Sequence, residues 1–109
     1  MTQLADVEAI ARELATELRR IYGPKLRELI LYGSWARGDA REDSDIDFLV
    51  VLDSTEDYIT ELRRLVKLSS RLAMKHNVYV SAQPMSLEEY RSGRGPFVLN
   101  VQKEGRRIA

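Results

Sequence analysis

The sequence predicts an α/β (α+β) fold, in which helices flank a small β-sheet, from three observations. Apolar residues recur every three or four positions over 4–21 and again over 55–75, which is the period of an amphipathic helix. The chain has 109 residues, close to the commonest domain size, so we expect residues 1–109 to form a single domain. Short apolar runs have the length of β-strands, at 28–32, 45–52 and 78–83.

Residues that stop or start helices mark the first elements. Gly23 and Pro24 end the first helix, because neither residue continues a helix well. The first strand is followed by a short helix from Ser34 and by a polar loop over 38–44. In the second strand, residues 48–52 are apolar on both faces, which predicts a central strand covered on two sides.

The C-terminal part predicts two short helices after the third strand. Ser86 and Glu89 have the spacing of a capping box, in which each side chain bonds to the other residue's backbone amide. Gly93 closes that helix, and a last helix spans 96–104 before Gly105.

Asp45 and Asp47 open the second strand with two carboxylates. Alternate residues of a strand share a face, so these side chains would lie side by side while Ile46 points the other way. Two like charges this close are unfavourable unless a cation lies between them, and Mg²⁺ usually takes one or two carboxylates together with water and phosphate oxygens. The pair therefore predicts a magnesium site, and the alternative is an acidic turn at the edge of a strand.

Gly33 and Ser34 follow the first strand directly. A glycine lets the backbone come close to a ligand, and Ser34 offers a hydroxyl and an amide at the start of a helix, where anions bind. Arg37 lies one helical turn after Ser34, so its guanidinium could reach phosphate oxygens. The alternative for Arg37 is a solvated surface residue.

The combined spacing of these residues resembles the pattern of one superfamily, the nucleotidyltransferases of the DNA polymerase β type. The pattern is Gly33-Ser34, then ten residues, then Asp45-x-Asp47, with Ala36-Arg37-Gly38 in between. In particular the chain resembles the smallest branch, the minimal nucleotidyltransferase (MNT, or MntA-like) proteins, over nearly its whole length. The resemblance implies one minimal nucleotidyltransferase domain with a small mixed β-sheet and flanking helices.

The resemblance also implies a reaction and a role for each residue. In this superfamily an acceptor hydroxyl attacks the α-phosphate of a nucleoside triphosphate, pyrophosphate leaves, and two metal ions stabilise the attacking and leaving oxygens. Carried over to this chain, Gly33 and Ser34 contact the triphosphate, and Arg37 is a further nucleotide-binding candidate. Asp45 and Asp47 become the catalytic carboxylates and the ligands of Mg²⁺, with two ions expected beside ATP.

The same resemblance implies a partner. MntA-like antitoxins act on helical HEPN-type toxins, so we expect AMP to pass from ATP to a hydroxyl of a HEPN-type protein. A homo-oligomer and a hetero-oligomer are both compatible with this expectation. A second hypothesis is a catalytically weak or inactive subunit that binds a nucleotide or a partner. A third is a transferase that modifies an antibiotic, although a chain of this length offers no further domain to bind an aminoglycoside.

One departure from the family pattern favours the second hypothesis. Active relatives usually place a third carboxylate on the strand after the long helix, where it completes the metal site and can accept the proton of the acceptor hydroxyl. Residues 76–83 contain no Asp or Glu. Asn77 or Ser81 could bind a metal weakly, but neither is a base at neutral pH. We expect Ser81 or Tyr79 to lie nearest to the place of the missing acid, because alternate strand residues share a face.

Several other conspicuous residues are predicted to be structural. The only histidine, His76, suits the C-terminal end of a helix, and Trp35 suits packing better than stacking on a base. Asp53 is expected to end the second strand by capping the next element. Apolar spacing predicts three core residues in the long helix, Tyr58, Leu62 and Leu65.

Composition limits the class of protein. The 17 basic and 17 acidic residues give a formal net charge of zero, so there is no bulk attraction to nucleic acid or to a membrane, and we expect neither as a partner. The absence of cysteine excludes disulfides and thiolate metal sites and is compatible with the cytoplasmic setting that we expect. Charges are scattered through the N-terminal region, so we expect neither a signal peptide nor a membrane span there.

Overall fold

A computed structural model describes residues 3–109 of the chain. Met1 and Thr2, which the predicted domain includes, lie outside the described residues, and the extent of the domain stays a prediction. None of the helices within 3–109 has the length and hydropathy needed to cross a membrane. The elements are α1 (Leu4–Tyr22), β1 (Leu26–Tyr32), α2 (Ser34–Arg37), β2 (Ile46–Leu52), α3 (Tyr58–His76), β3 (Val80–Ser86), α4 (Leu87–Ser92), α5 (Pro96–Glu104) and β4 (Arg106–Arg107).

The four strands of the described chain form one mixed sheet in the order β3-β2-β1-β4. β1 runs antiparallel to β2 and β4, whereas β2 and β3 are parallel and are joined through α3. A parallel pair needs a crossover of this kind, because its strands cannot be joined by a tight hairpin. The arrangement confirms the predicted α/β class, with a small mixed sheet and flanking helices.

β2 is apolar on both faces, as predicted, because both of its sides are covered. On one face Phe48 and Val50 are fully buried in a large cluster with residues of α1 and α3. On the other face Leu49 and Val51 are fully buried in a smaller cluster that includes residues of α5. The sheet therefore lies between a layer formed by α1 and α3 and a smaller layer that includes α5.

The strands differ in extent from the sequence prediction. β1 begins earlier, at Leu26, and β2 begins at Ile46, so that Asp45 precedes the strand instead of opening it. β3 is Val80–Ser86 instead of 78–83, because it pairs in parallel with every residue of β2. β3 lies at the edge of the sheet, which is where a strand tolerates a proline such as Pro84.

α3 begins later than predicted and is capped by a different residue. Its N-cap is Asp57, whose carboxylate accepts a hydrogen bond from the backbone amide of Thr60 at 3.2 Å. The prediction that Asp53 caps the element after β2 is wrong, because the Asp53 carboxylate pairs with Arg27 at 2.6 Å.

The predicted core of α3 is only partly correct. Leu65 is fully buried as predicted, and Leu62 is half-buried. The prediction for Tyr58 is wrong, because this side chain lies in the first turn of the helix and is 43% exposed. Periodicity marks a helix face, but it does not reveal where the sheet beneath that face ends.

The C-terminal part contains one strand that the sequence did not predict. α4 and α5 occupy their predicted positions, and the Ser86 hydroxyl accepts a hydrogen bond from the Glu89 amide at 3.1 Å. β4 consists of Arg106–Arg107 and pairs antiparallel with β1. Two consecutive arginines have no apolar alternation, so no sequence signal marked this strand.

Candidate functional site

The predicted site residues meet at one end of the sheet, where β1 ends and where β2 and β3 begin. Asp47 pairs with Tyr32 of β1 and with Ser81 of β3. Residues paired across neighbouring strands point to the same face, so these three side chains form a row across the sheet. The row lies on the face that also carries Leu49 and Val51, and its Tyr32 end contacts α5 through Phe97.

Gly33 lies against the carboxylate of Asp47. Its φ of +76° and ψ of −158° form a combination that residues with a Cβ rarely adopt. A Cβ at position 33 would lie 2.6 Å from Asp47 Oδ2, which is closer than non-bonded atoms approach. The glycine is therefore needed both for the turn into α2 and for the space that the carboxylate occupies.

Asp45 and Asp47 differ in their surroundings although they are two residues apart. Asp45 is exposed in the loop before β2, whereas Asp47 is half-buried on the strand. Burial raises the pKa of Asp47 above its ordinary value, and the negative charge of Asp45 raises it further, whereas Arg37 lowers it. The two charges therefore repel each other, and a cation between them would relieve that repulsion.

The donor chemistry of this pair fits Mg²⁺. Both acids offer hard carboxylate oxygens, and Gly33 leaves the space beside Asp47 free of a side chain. Within residues 3–109, no group of three or more His, Cys, Asp or Glu side chains is placed to hold a metal ion. The pair supplies only part of a coordination shell, which is how Mg²⁺ is bound when substrate phosphates complete the shell.

Ser34 and Arg37 lie at the two ends of α2. Ser34 is the first residue of this helix, directly after Gly33, and α2 has only 4 residues, so its dipole is small. The Arg37 guanidinium contacts two carboxylates, with Nε 3.2 Å from Asp39 Oδ2 and Nη1 3.4 Å from Glu104 Oε2. The charge of Arg37 also lowers the pKa of Asp47, although the guanidinium is already paired with these two carboxylates.

Ser81 and Tyr79 are the two residues that the sequence offers for the place of a third acid, and they differ in position. Ser81 is the β3 residue paired with Asp47, whereas Tyr79 precedes β3 and is 68% exposed. Asn77 ends α3 in a left-handed conformation with a φ of +54°.

Sequence reasoning missed Tyr32, which is paired with Asp47, and the two residues Gln83 and Phe97 that contact Tyr32. The Tyr32 hydroxyl accepts a hydrogen bond from Gln83 Nε2 at 3.2 Å, and the ring of Tyr32 meets that of Phe97 edge to face at 5.4 Å between centroids. Burial and the charge of Asp47 raise the pKa of Tyr32 to about 12, so the phenol stays protonated. Strand alternation from Ser81 could have found Gln83, but no sequence signal pointed to Phe97.

The residues predicted to be structural have structural contacts. His76 ends α3, and its Nε2 lies 2.9 Å from Glu13 Oε2 of α1. Trp35 packs against the large core cluster and donates a hydrogen bond from Nε1 to the Ser44 carbonyl at 3.2 Å. The backbone of the loop before Asp45 is therefore held in place by Trp35.

Comparison with known proteins identifies the family of this fold and sequence. A family model described as a nucleotidyltransferase domain matches residues 11–105. A protein of Methanocaldococcus jannaschii, provisionally named a protein adenylyltransferase, is 35% identical over 100 residues, which are 91% of this chain and 94% of the relative. The protein adenylyltransferase MntA of Thermococcus cleftensis is 36% identical over 72 residues, 66% of this chain and 67% of the relative.

Two solved structures share the fold. A crystal structure of a toxin-antitoxin with AMP-PNP contains a chain that superposes with a TM-score of 0.61 at 26% identity, over 94% of this chain and 72% of that one. A structure of a tri-AMPylated Shewanella oneidensis HEPN toxin in complex with an MNT antitoxin matches with a TM-score of 0.55 at 23% identity, over 94% of this chain and 71% of that one. The second likeness concerns the fold alone.

Proposed function

The chain belongs to the nucleotidyltransferase domain family, in its minimal MntA-like branch, and from this premise we propose that it transfers AMP from ATP to a hydroxyl of a partner protein. The observation that carries the proposal is the contact of Gly33 with the half-buried Asp47 carboxylate, beside Asp45. This contact joins the predicted phosphate site to the predicted metal site. The names of the relatives, protein adenylyltransferases, support AMP as the group transferred.

Each site residue has a role in this proposal. Asp45 and Asp47 hold Mg²⁺, which when bound neutralises charge on the triphosphate and the leaving group. Gly33 and Ser34 contact the triphosphate through their backbone and through the serine hydroxyl. Arg37 exchanges its carboxylate partners for phosphate oxygens when the nucleotide binds.

The transfer forms one bond and breaks one bond. The acceptor oxygen bonds to the α-phosphorus, the bond from that phosphorus to the bridging oxygen breaks, and pyrophosphate leaves with the bonding electrons. The acceptor hydroxyl must lose its proton. Ser81 beside Asp47 is not a base at neutral pH, so we propose that the proton passes to water and that transfer is slow.

We propose a HEPN-type protein as the acceptor, as in the MntA-like branch. An MNT antitoxin with this fold forms a complex with an AMPylated HEPN toxin. The structure of a toxin-antitoxin with AMP-PNP, which contains a chain of the same fold, supports the binding of a nucleotide. A second candidate function is a catalytically weak or inactive subunit that binds nucleotide and partner. Ser81 in the place of an acid favours this second function.

Transfer of a label from ATP separates the two functions. The chain is incubated with Mg²⁺, a purified HEPN-type protein, and ATP labelled at the α-phosphate. We expect label on the partner protein, and none when the label is at the γ-phosphate. The Asp47→Asn variant should lose the transfer, whereas Asp53→Asn, beyond the opposite end of β2, should keep it.

The outcomes distinguish three cases. Label on the partner supports the adenylyltransferase. Binding of nucleotide and partner without incorporation supports the inactive subunit and contradicts the enzyme. Removal of Mg²⁺ should strongly weaken ATP binding in calorimetry, because the two acids alone supply too few ligands and the phosphate oxygens complete the shell. Equal ATP affinity with and without Mg²⁺ would contradict both functions.

A further inference from the structure

α3 carries an apolar groove on its surface that the rest of the described chain leaves uncovered. Leu62, Val66, Ser70 and Met74 follow one another at every fourth position and line a shallow groove of about 780 Å³. Val66 is 51% exposed and Met74 is 84% exposed, whereas Leu65 on the inner side of the helix is fully buried. We call these four residues the α3 groove. Contiguous exposed apolar surface of this kind marks interaction sites.

Positive charge borders the α3 groove. Arg63, Arg64, Lys67 and Arg71 also line it, and within residues 3–109 Arg63 and Lys67 form no ion pair. The other two cations are paired, because Arg64 contacts Glu61 and Arg71 contacts Glu17. The groove therefore combines apolar side chains with two cations that lack a carboxylate partner.

The α3 groove leads toward the acid pair. Its Met74 end borders a second depression, lined also by Glu42, Asp43, Ser44 and Tyr79. These residues lie directly before Asp45 in the chain or, for Tyr79, accept a hydrogen bond from the Ile46 amide at 2.8 Å. A protein bound along the groove would thus reach the loop that carries Asp45, and it would meet negative charge at that end.

We propose that the α3 groove is the docking surface of the acceptor protein, which binds through an amphipathic helix. Charge complementarity requires acidic residues of that helix at the Arg63 and Lys67 end and none at the Glu42 and Asp43 end. Side chains at every fourth residue of a helix form ridges with grooves between them. The side chains of a second helix fill such grooves better than a flat surface does. The inference rests on the proposed function, because it names the surface for the partner of that same site.

A second copy of this chain does not fit the α3 groove. A two-fold dimer through this surface would bring two copies of the cationic patch that contains Arg63 and Lys67 into one interface. Like charges brought together at an interface disfavour it. An anionic membrane would satisfy the cations, but a flat bilayer does not use the groove that Ser70 opens between Val66 and Met74.

Binding of a purified HEPN-type protein that forms a complex with the parent chain tests the proposal. We expect Lys67→Glu to raise the Kd of the complex by about tenfold or more, because a hot-spot charge is reversed. Arg12→Glu is the control, since it reverses the charge in the same way at an exposed position of α1. The double variant Val66→Gln and Met74→Gln should weaken the complex similarly, and Leu4→Gln, 45% exposed on α1, is its control.

The readouts separate docking from folding and from catalysis. Mg²⁺-dependent ATP binding by calorimetry should be unchanged in every groove variant, and Lys67→Arg should restore the complex. Parent-like affinity of the groove variants overturns the proposal, as does a dimer of the free chain that Lys67→Glu dissociates. Binding of the parent to phosphatidylserine vesicles, lost in Lys67→Glu, assigns the groove to a membrane and also overturns it.

The result also distinguishes this proposal from the proposed function. A complex that depends on the groove but shows no AMP transfer leaves docking intact and contradicts the enzyme. AMP transfer that is insensitive to the groove variants leaves the enzyme intact and contradicts docking. The absence of any complex or transfer with the parent chain contradicts both.

Discussion

Phe48 and Asp47 are neighbours on β2, yet they lie on opposite faces of the sheet and under opposite physical constraints. Phe48 is fully buried between α1, α3 and the sheet, where its environment is uniformly apolar. Asp47 is half-buried next to Asp45 and against Gly33, where burial and a like charge both disfavour its ionised form. The face that carries Phe48 contributes to stability. The end of the face that carries Asp47 holds a carboxylate whose charge does not contribute to folding.

This difference separates the residues that hold the fold from those that are proposed to act. On the covered face, a substitution removes packing and lowers the free energy of unfolding. At the open end of the other face, a substitution that removes charge relieves repulsion and is predicted to lower ligand binding without lowering stability. Site residues at odds with their local environment are the expected signature of a functional position.

Phe48→Ala should give the largest effect, on stability. The change removes a fully buried ring and leaves a cavity, so we expect the free energy of unfolding to fall by about 3–5 kcal/mol. Urea unfolding followed by circular dichroism measures it. The exposed Phe97 provides the control, because Phe97→Ala removes the same atoms at a position that is 38% exposed. Equal losses in the two variants would contradict the assignment of the core to the covered face.

Asp47→Asn should have the opposite profile. The replacement is nearly isosteric and removes one of two repelling charges, so the free energy of unfolding should stay the same or rise. Affinity for ATP in the presence of Mg²⁺ should fall by about a hundredfold or more, since even groups that only support a metal ligand contribute ten- to a hundredfold. Calorimetry and urea unfolding on the same sample measure both. A variant that melts far below the parent would mean that Asp47 is structural.

Ser81→Asp should add the missing acid beside Asp47. A positioned general base contributes about 10²–10⁴-fold, so we expect AMP transfer to rise by about a hundredfold, near the lower limit. Tyr79→Asp is the control, because Tyr79 precedes β3 and is exposed. Single-turnover rates with the HEPN-type partner measure the gain. If the parent already transfers AMP rapidly and Ser81→Asp is no faster, the base comes from elsewhere.

Gly33→Ala should affect both properties at once. Its backbone conformation disfavours a Cβ by about 1–3 kcal/mol, and the new methyl group would collide with Asp47 Oδ2. Gly95→Ala is a matched control, because Gly95 has a similar φ of +86° and ψ of +155°, and a Cβ added there would have no atom within 4 Å. Both variants should lose stability in urea, but only Gly33→Ala should lose affinity for Mg²⁺ and ATP. Equal ATP affinity in the two would contradict the role of the contact with Asp47.

Glu13→Gln should give the smallest effect, at the edge of the covered face. Hydrogen bonds from Lys75 and His76 lower the pKa of Glu13 below its ordinary value of 4.5. A carboxylate whose pKa is lowered by folding stabilises the protein above that ordinary value, and the stabilisation is lost as the pH falls through the folded pKa. Glu13→Gln should therefore be less stable than the parent at neutral pH, by less than about 1 kcal/mol for a partly exposed pair. The difference in free energy of unfolding between the parent and the variant should disappear in acid. A difference measured by urea unfolding that does not change with pH would contradict this prediction.

The sequence predicted the parts of this molecule whose signal is local. Asp45 and Asp47 are two residues apart, Gly33 lies between a strand and a helix, and α4 is capped by a serine with a glutamate three residues later. In each case the chemistry and the spacing fall within a few positions of one another. The fold class followed because the same local periods alternate along the chain.

Features that depend on pairing between distant segments could not be predicted in the same way. The limits of β3 are set by β2, and β4 is a strand only because β1 offers an unpaired edge. Tyr58 has the right helical spacing but lies where the covered surface ends. The contact of Glu104 with Arg37 joins segments far apart in the chain, so only the folded structure brings it to the candidate site.

The pairing of Asp47 with two strands has a consequence for the order in which the chain folds. Its antiparallel pairing with Tyr32 closes one loop, which also brings Gly33 to the carboxylate, whereas its parallel pairing with Ser81 closes a loop roughly twice as long. Each doubling of a flexible loop adds only about 0.6 kcal/mol to its closure entropy, but the second pairing also has to wait for the α3 crossover. The hairpin of β1 and β2 is therefore expected to nucleate early, with the acids already beside the glycine, and the β3 edge to join last. In native-state hydrogen exchange, amides of β3 should then open at lower free energy than those of the hairpin.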